Sequence, residues 1–150
     1  MVTVYVWNPH YSSLNVGHAA LAVTGGQPAG DTYVSWWPRN RNLATITVGV
    51  RRGVHARLAD DELSTAEGRR PDHTVRLEGL DETQIKAFWK RLVRHGEYQG
   101  FSSNCATTVA KALEAGGADR LAPGWSGRGV WKPLDVFHFA LAIQRGLAAR

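Results

Sequence analysis

The stretch Phe101-Ser102-Ser103-Asn104-Cys105-Ala106-Thr107-Thr108-Val109-Ala110-Lys111-Ala112-Leu113-Glu114-Ala115-Gly116-Gly117 holds the only cysteine of the chain. Ala106, Val109, Ala110 and Leu113 recur at helical spacing, which predicts a helix with one apolar face. Gly116 and Gly117 predict its end, because glycine enters a left-handed turn at no steric cost. Ser102, Ser103 and Asn104 are residue types that cap helix starts. Cys105 is therefore expected in the first helical turn, where free N–H groups and the helix dipole favour negative charge and so a thiolate. A lone cysteine is more often a small buried hydrophobe. Position alone does not decide between these readings, and a partner base has to be found elsewhere.

Upstream, the clearest helix opens at Leu80 and Asp81, with Asp81 as N-cap and Gln84 at the capping-box position. Ile85, Phe88, Trp89, Leu92 and Val93 form one apolar stripe, Lys86, Lys90, Arg91 and Arg94 cover the other face, and Gly96 ends the helix. Downstream, Gly117 to Trp131 reads as a loop, and Lys132-Pro133 starts a last helix to about Leu147. The apolar residues of that helix run nearly all round, which predicts contacts on both faces. The N-terminal part reads as strands: Val2 to Trp7, Gly17 to Thr24, and Thr32 to Trp37 stopped by Pro38. The second and third are expected as an antiparallel hairpin. Leu43 to Val50 is a further candidate strand, Asp60 to Glu67 a candidate short helix, and His73 to Leu77 a strand with Val75 and Leu77 inward. Residues 39–72, rich in arginine, read as a basic insertion-like lobe. The expected class is α+β: an antiparallel sheet with the cysteine helix and the Asp81 helix on one side.

At 150 residues the chain is read as a single domain over 1–150, of a size that buries roughly 68–70% of its unfolded surface. One cysteine excludes an internal disulfide, and six histidines show no paired metal-ligand spacing, so neither a metal nor a cofactor is expected. Met1 to Trp7 lacks the features of a signal peptide, and no apolar run has the length of a membrane span. The expectation is a cytoplasmic protein, or an effector exported by a signal-independent route. The net charge of +5 permits attraction to anionic lipid, wall polymer or nucleic acid without selecting one. Arginines are not interleaved with aromatics in a nucleic-acid module, so no nucleic-acid partner is expected.

A nucleophilic cysteine needs a general base, a group that orients the base, and donors for an oxyanion. His18 is the best base: it follows a glycine at a strand start among small neighbours, and His10 is the reserve. Ser35, on the next strand, is the candidate orienting residue, since its hydroxyl would accept from the imidazole N–H; a serine filling a strand position is an equal reading. Gln99 and the backbone N–H of Cys105 are oxyanion candidates. Asn104 is a further one, and equally a plain cap.

Three phrases carry a resemblance: Gly17-His18-Ala19-Ala20-Leu21, then Tyr33-Val34-Ser35-Trp36-Trp37-Pro38, then Tyr98 followed by Asn104-Cys105 and an alanine-rich helix. In this order they resemble the circularly permuted papain-like cysteine hydrolases. These are the permuted NlpC-type peptidases and their lecithin:retinol acyltransferase relatives, with the closest likeness to bacterial effector or toxin domains. The resemblance implies a papain-like fold in which the histidine strand precedes the cysteine helix. It implies a thiolate on Cys105, a general base at His18 and a polar third member at Ser35, a position where many relatives carry histidine or another strongly polar residue. It also implies acyl transfer through a cysteine thioester. The basic middle lobe is not covered.

The acyl donor stays open between an amide (cell-wall peptide or protein) and a lipid ester. Trp36, Trp37, Trp125 and Trp131 are candidate walls of an apolar groove, with Tyr98 beside the thiol, and core packing is the alternative. A non-catalytic binding module on the same scaffold is the reading from another class. For an antibacterial effector, the resemblance implies an immunity or inhibitor protein as partner.

Overall fold

The computed structural model describes residues 1–9, 17–26, 28–38, 52–54, 57–59, 61, 69–95 and 104–150. Its class is α+β. The strands among the described residues are β1 Val2–Trp7, β2 His18–Val23, β3 Thr32–Val34, β4 Trp36–Pro38, β5 Arg52–Val54 and β6 His73–Leu77. After them, among the described residues, come helices α1 Glu82–His95, α2 Cys105–Ala115, α3 Ala118–Leu121 and α4 Pro133–Ala148. The main sheet has the order β3-β2-β1-β6, and every neighbouring pair is antiparallel. β4 and β5 form a separate two-stranded sheet.

Register sorts the side chains between two faces. Val4 pairs with Leu21 and with Val75, and Leu21 pairs with Val34, so these residues share one side. With Val2, Val6, Ala19, Val23 and Leu77 they join Ala106, Val109, Ala110 and Leu113 of α2 and Val136, Phe139, Ala140 and Ile143 of α4 in one core. Burial of each large aliphatic side chain contributes about 1.5–3 kcal/mol, so this shared face dominates the stability of the arrangement. Trp7 pairs with His18 on the opposite face, and both are fully buried there. Trp7 Nε1 donates to the Arg69 carbonyl at 2.9 Å, which ties the last part of the lobe to the end of β1.

The strands of the hairpin, the His73 strand and the three long helices form where the sequence reading puts them. The third strand does not run unbroken from Thr32 to Trp37. It leaves the main sheet at Ser35 and continues as β4 in the second sheet. The segment after Gly117 is not all loop: α3 and a 3-10 turn at Pro123–Trp125 lie in it. Gly117, at φ +91°, takes the left-handed position, whereas Gly116 does not. Asp81 caps α1 by accepting from Gln84 N at 3.1 Å. The Asp81 N–H itself donates to Gly116 O at 2.9 Å, which fastens the start of α1 to the end of α2. The candidate strand Leu43 to Val50 lies outside the described residues, as does most of the candidate helix from Asp60. Among the described residues no helix is long and apolar enough to cross a membrane.

Lys86 departs from the solvent face that its helical position predicts. It is 7% exposed, and its Nζ donates to the carbonyls of Gly25, Pro28 and Gly30 at 2.6, 2.8 and 2.7 Å. Three carbonyl dipoles compensate the buried charge. The contact holds the turn between β2 and β3 against α1. Replacing the ammonium leaves three carbonyls short of a donor, so Lys86→Met should lower the unfolding free energy by about 2–4 kcal/mol. Urea unfolding reads this directly, and a change within a few tenths would show that the carbonyls find water instead.

Candidate active site

The site forms where β2 begins. Gly17 sits at φ +83°, and a Cβ built there would lie 2.6 Å from the Trp7 carbonyl oxygen. Only glycine allows β2 to start this close to the end of β1. That approach puts His18 opposite Trp7, with ring centroids 5.3 Å apart.

The alternation of β3 then supplies polar groups to the same face. Ala22 pairs with Tyr33 and Leu21 with Val34, so Tyr33 lies on the His18 face and Val34 in the core. Ser35 follows two residues after Tyr33. Ser35 Oγ lies 3.2 Å from His18 Nε2 and donates to Asp61 Oδ1 at 2.8 Å. Tyr33 donates its hydroxyl proton to Asp61 Oδ2 at 2.5 Å. The same Oδ2 lies 3.2 Å from His18 Nε2. His18, Ser35 and Asp61 are each at most 1% exposed. Nε2 therefore carries a proton shared between a hydroxyl and a carboxylate.

The thiol completes the array. Cys105 is the first residue of α2 and is buried. The Asn104 side chain caps the helix by accepting from Thr107 N at 2.7 Å, and its Nδ2 donates to Trp131 O at 3.3 Å. The amide is thus spent on holding the helix start and the loop before α4. Burial pushes the His18 pKa down, but charge attraction to Cys105, hydrogen bonds to Asp61 and Cys105, and the Asp61 charge together carry it up to about 9. A buried imidazole held protonated between a thiol and a carboxylate is suited to exchange protons with sulfur and with a substrate atom.

The structure brings together Cys105, His18, Ser35 and the Asn104 cap. Trp36 lies in the core, fully buried and edge-on to Trp89 at 5.9 Å between centroids. Trp131 is 3% exposed, stacks on Trp125 and packs at a tilt against Phe139, so its ring is part of the core packing. Trp37 lies on β4, and its side chain is outside the described atoms, as are residues Tyr98, Gln99 and His10. Asp61 and Tyr33 are the residues that the sequence reading passed over as site members. The alternation that exposed Ser35 also selects Tyr33. For Asp61, no spacing in the lobe marks it. Among the described residues, no group of three or more His, Cys, Asp or Glu is placed to hold a metal ion.

A sign follows for stability against pH. The folded protein keeps the His18 proton to about pH 9, whereas the unfolded chain releases it near 6.5. The stabilisation is whole below the unfolded value and disappears as pH climbs through the folded one, a loss of a few kcal/mol. Urea unfolding across that window should show the decline, and Asp61→Asn should shrink it. A wild-type profile that stays flat there would contradict the raised histidine.

Comparisons with known proteins bear on these residues. The family described as the IcsB middle domain matches residues 1–75 and 55–150, which together span the chain. The chain is 39% identical over 97 residues, 59% of its length, to a Multifunctional-autoprocessing repeats-in-toxin of Vibrio cholerae serotype O1. It is 45% identical over 74 residues, 47% of its length, to a protein of the same name from Vibrio vulnificus. The matches span 2% and 1% of those proteins, so the chain corresponds to a small part of each. The family match runs across both the His18 half and the Cys105 half, and the chain belongs to the IcsB middle domain family.

Proposed function

We propose that this domain is a thiol-dependent acyl hydrolase or acyltransferase, with Cys105 as nucleophile and His18 as general base. The observation that carries the reading is the buried His18 ring, supported at Nε2 by Ser35 and Asp61 and kept protonated by charge attraction to Cys105 and Asp61. An isolated buried imidazole would lose its proton to desolvation, whereas this one keeps it because charge lies on both sides. A small core cysteine has no need of such a neighbour.

In this mechanism the Cys105 sulfur adds to an acyl carbonyl carbon, and the carbonyl π bond becomes an oxyanion. The backbone N–H groups at the start of α2 favour negative charge there. Collapse of the adduct breaks the bond to the leaving group, which takes the proton from His18, and a thioester remains on Cys105. His18 then accepts a proton from water or another nucleophile, which attacks the thioester and frees the sulfur. Asp61 stabilises the imidazolium in both halves, and Ser35 holds Asp61 and the ring in register.

The order of the parts, histidine strand first and cysteine helix later, supports a permuted papain-like architecture. We place the acyl donor among amides of wall peptide or protein and lipid esters. The effector or toxin kinship favours a substrate outside the producing cell, and an immunity or inhibitor protein as a natural partner.

Iodoacetamide at mildly acidic pH should modify Cys105 in the wild type, and the rate should drop at least tenfold, about 1.4 kcal/mol, in His18→Ala. A thiol that reacts equally in both proteins would sink the reading. Fatty acid release from phospholipid vesicles against cleavage of purified peptidoglycan separates the two donor classes, and Cys105→Ala should abolish whichever is seen. Binding without turnover, unchanged by Cys105→Ala, would return the domain to a binding role.

A further inference from the structure

We propose that Tyr33 is a positioning residue of this site, fixing the Asp61 carboxylate in the plane and place from which it supports His18. The inference rests on the reading of Cys105 and His18 as a reactive pair and deepens it.

Asp61 is not on the sheet. It comes from helical backbone in the segment between β5 and β6, with Leu58 and Ala59. A carboxylate turns about two single bonds, and one hydrogen bond leaves its plane free. Two donors fix it when they stand two residues apart on one short stretch of chain and take one oxygen each. Tyr33 and Ser35 do this: Ser35 takes Oδ1 at 2.8 Å and Tyr33 takes Oδ2 at 2.5 Å. The Tyr33 backbone is held by its pairing with Ala22 of β2, the strand that also carries His18. Donor, carboxylate and imidazole are therefore referenced to the same strand pair.

Tyr33 does not need Asp61 for its own sake. Its side chain is only half-buried, so water is within reach of a hydroxyl at that position. Asp61 is fully buried and has to be met by donors inside the protein. The bond to Tyr33 falls on Oδ2, the oxygen 3.2 Å from His18 Nε2. The hydroxyl therefore acts on the oxygen that matters to the ring, and not on the distal one.

Tyr33→Phe removes the hydroxyl and keeps the ring that packs on Tyr5 at 6.5 Å between centroids. NMR of the His18 ring should place its titration near 9 in the wild type. In Tyr33→Phe the midpoint should fall by about one unit, and iodoacetamide modification of Cys105 at mildly acidic pH should slow about tenfold. In an Asp61→Asn background the same substitution should add nothing, because its route is gone. Tyr5→Phe should leave every readout in place. An unchanged or raised His18 titration in Tyr33→Phe overturns the proposal, as does a full additional loss in the Asp61→Asn background. A wild-type thiol indifferent to His18→Ala fails at the parent reading instead, before Tyr33 is tested. If Tyr33→Phe does not fold, the wild type still decides: its Tyr33 hydroxyl proton should resonate far downfield and vanish in Asp61→Asn, and its absence counts against the proposal.

Discussion

A carboxylate with no access to water has to be surrounded by donors, and Asp61 is such a carboxylate. Its partners are a hydroxyl from Tyr33, a hydroxyl from Ser35 and the His18 ring, all delivered by the first hairpin. The requirement reaches into the backbone. The β3 strand has to alternate so that Tyr33 faces the ring. The chain has to leave the main sheet at Ser35, where the serine can touch both the histidine and the carboxylate. Were any one of these donors withdrawn, the remaining buried charge would be costlier than the bond that was lost, because its desolvation is not recovered.

Around this arrangement the apolar core acts as a frame. The faces of β1 and β2 that point away from His18 are lined by valine, leucine and alanine, and they receive α2 and α4. Small residues on α2 let it lie close to β2. Its first turn, capped by Asn104, then reaches the end of the sheet where β2 starts. Gly17 and Asn104 act from opposite directions. One brings the strand start inward, and the other fixes where the helix begins.

Much of this was legible in the chain itself. Strand alternation in Val2 to Trp7 and His73 to Leu77, the cap before Cys105 and the proline opening of α4 are local signals, and local interactions decide those elements. The pairing of His18 with Ser35 was legible because both lie in one hairpin, whose register is set over a few residues. Asp61 was not, since its neighbours in sequence say nothing about which residues it will meet in space. Lys86 misled for the same reason. Its helical position marks it as a surface residue, and only the fold reveals three carbonyls converging on it. The break at Ser35 was hidden because Tyr33 and Val34 before it share their β preference with Trp36 and Trp37 after it, and the choice of sheet is a tertiary one.

The two halves of the site lie on distant parts of the chain, and this bears on how the protein is made. A ribosome releases His18, Ser35 and Asp61 first, with the hairpin and the β1 pairing able to form as they emerge. The sulfur follows only after α1, and α2 cannot dock until its whole apolar face and that of α4 are available. Within this domain the growing chain therefore carries the imidazole before it carries the sulfur. Because α2 carries both the sulfur and part of the core, sulfur and ring are held in place only while that core is closed.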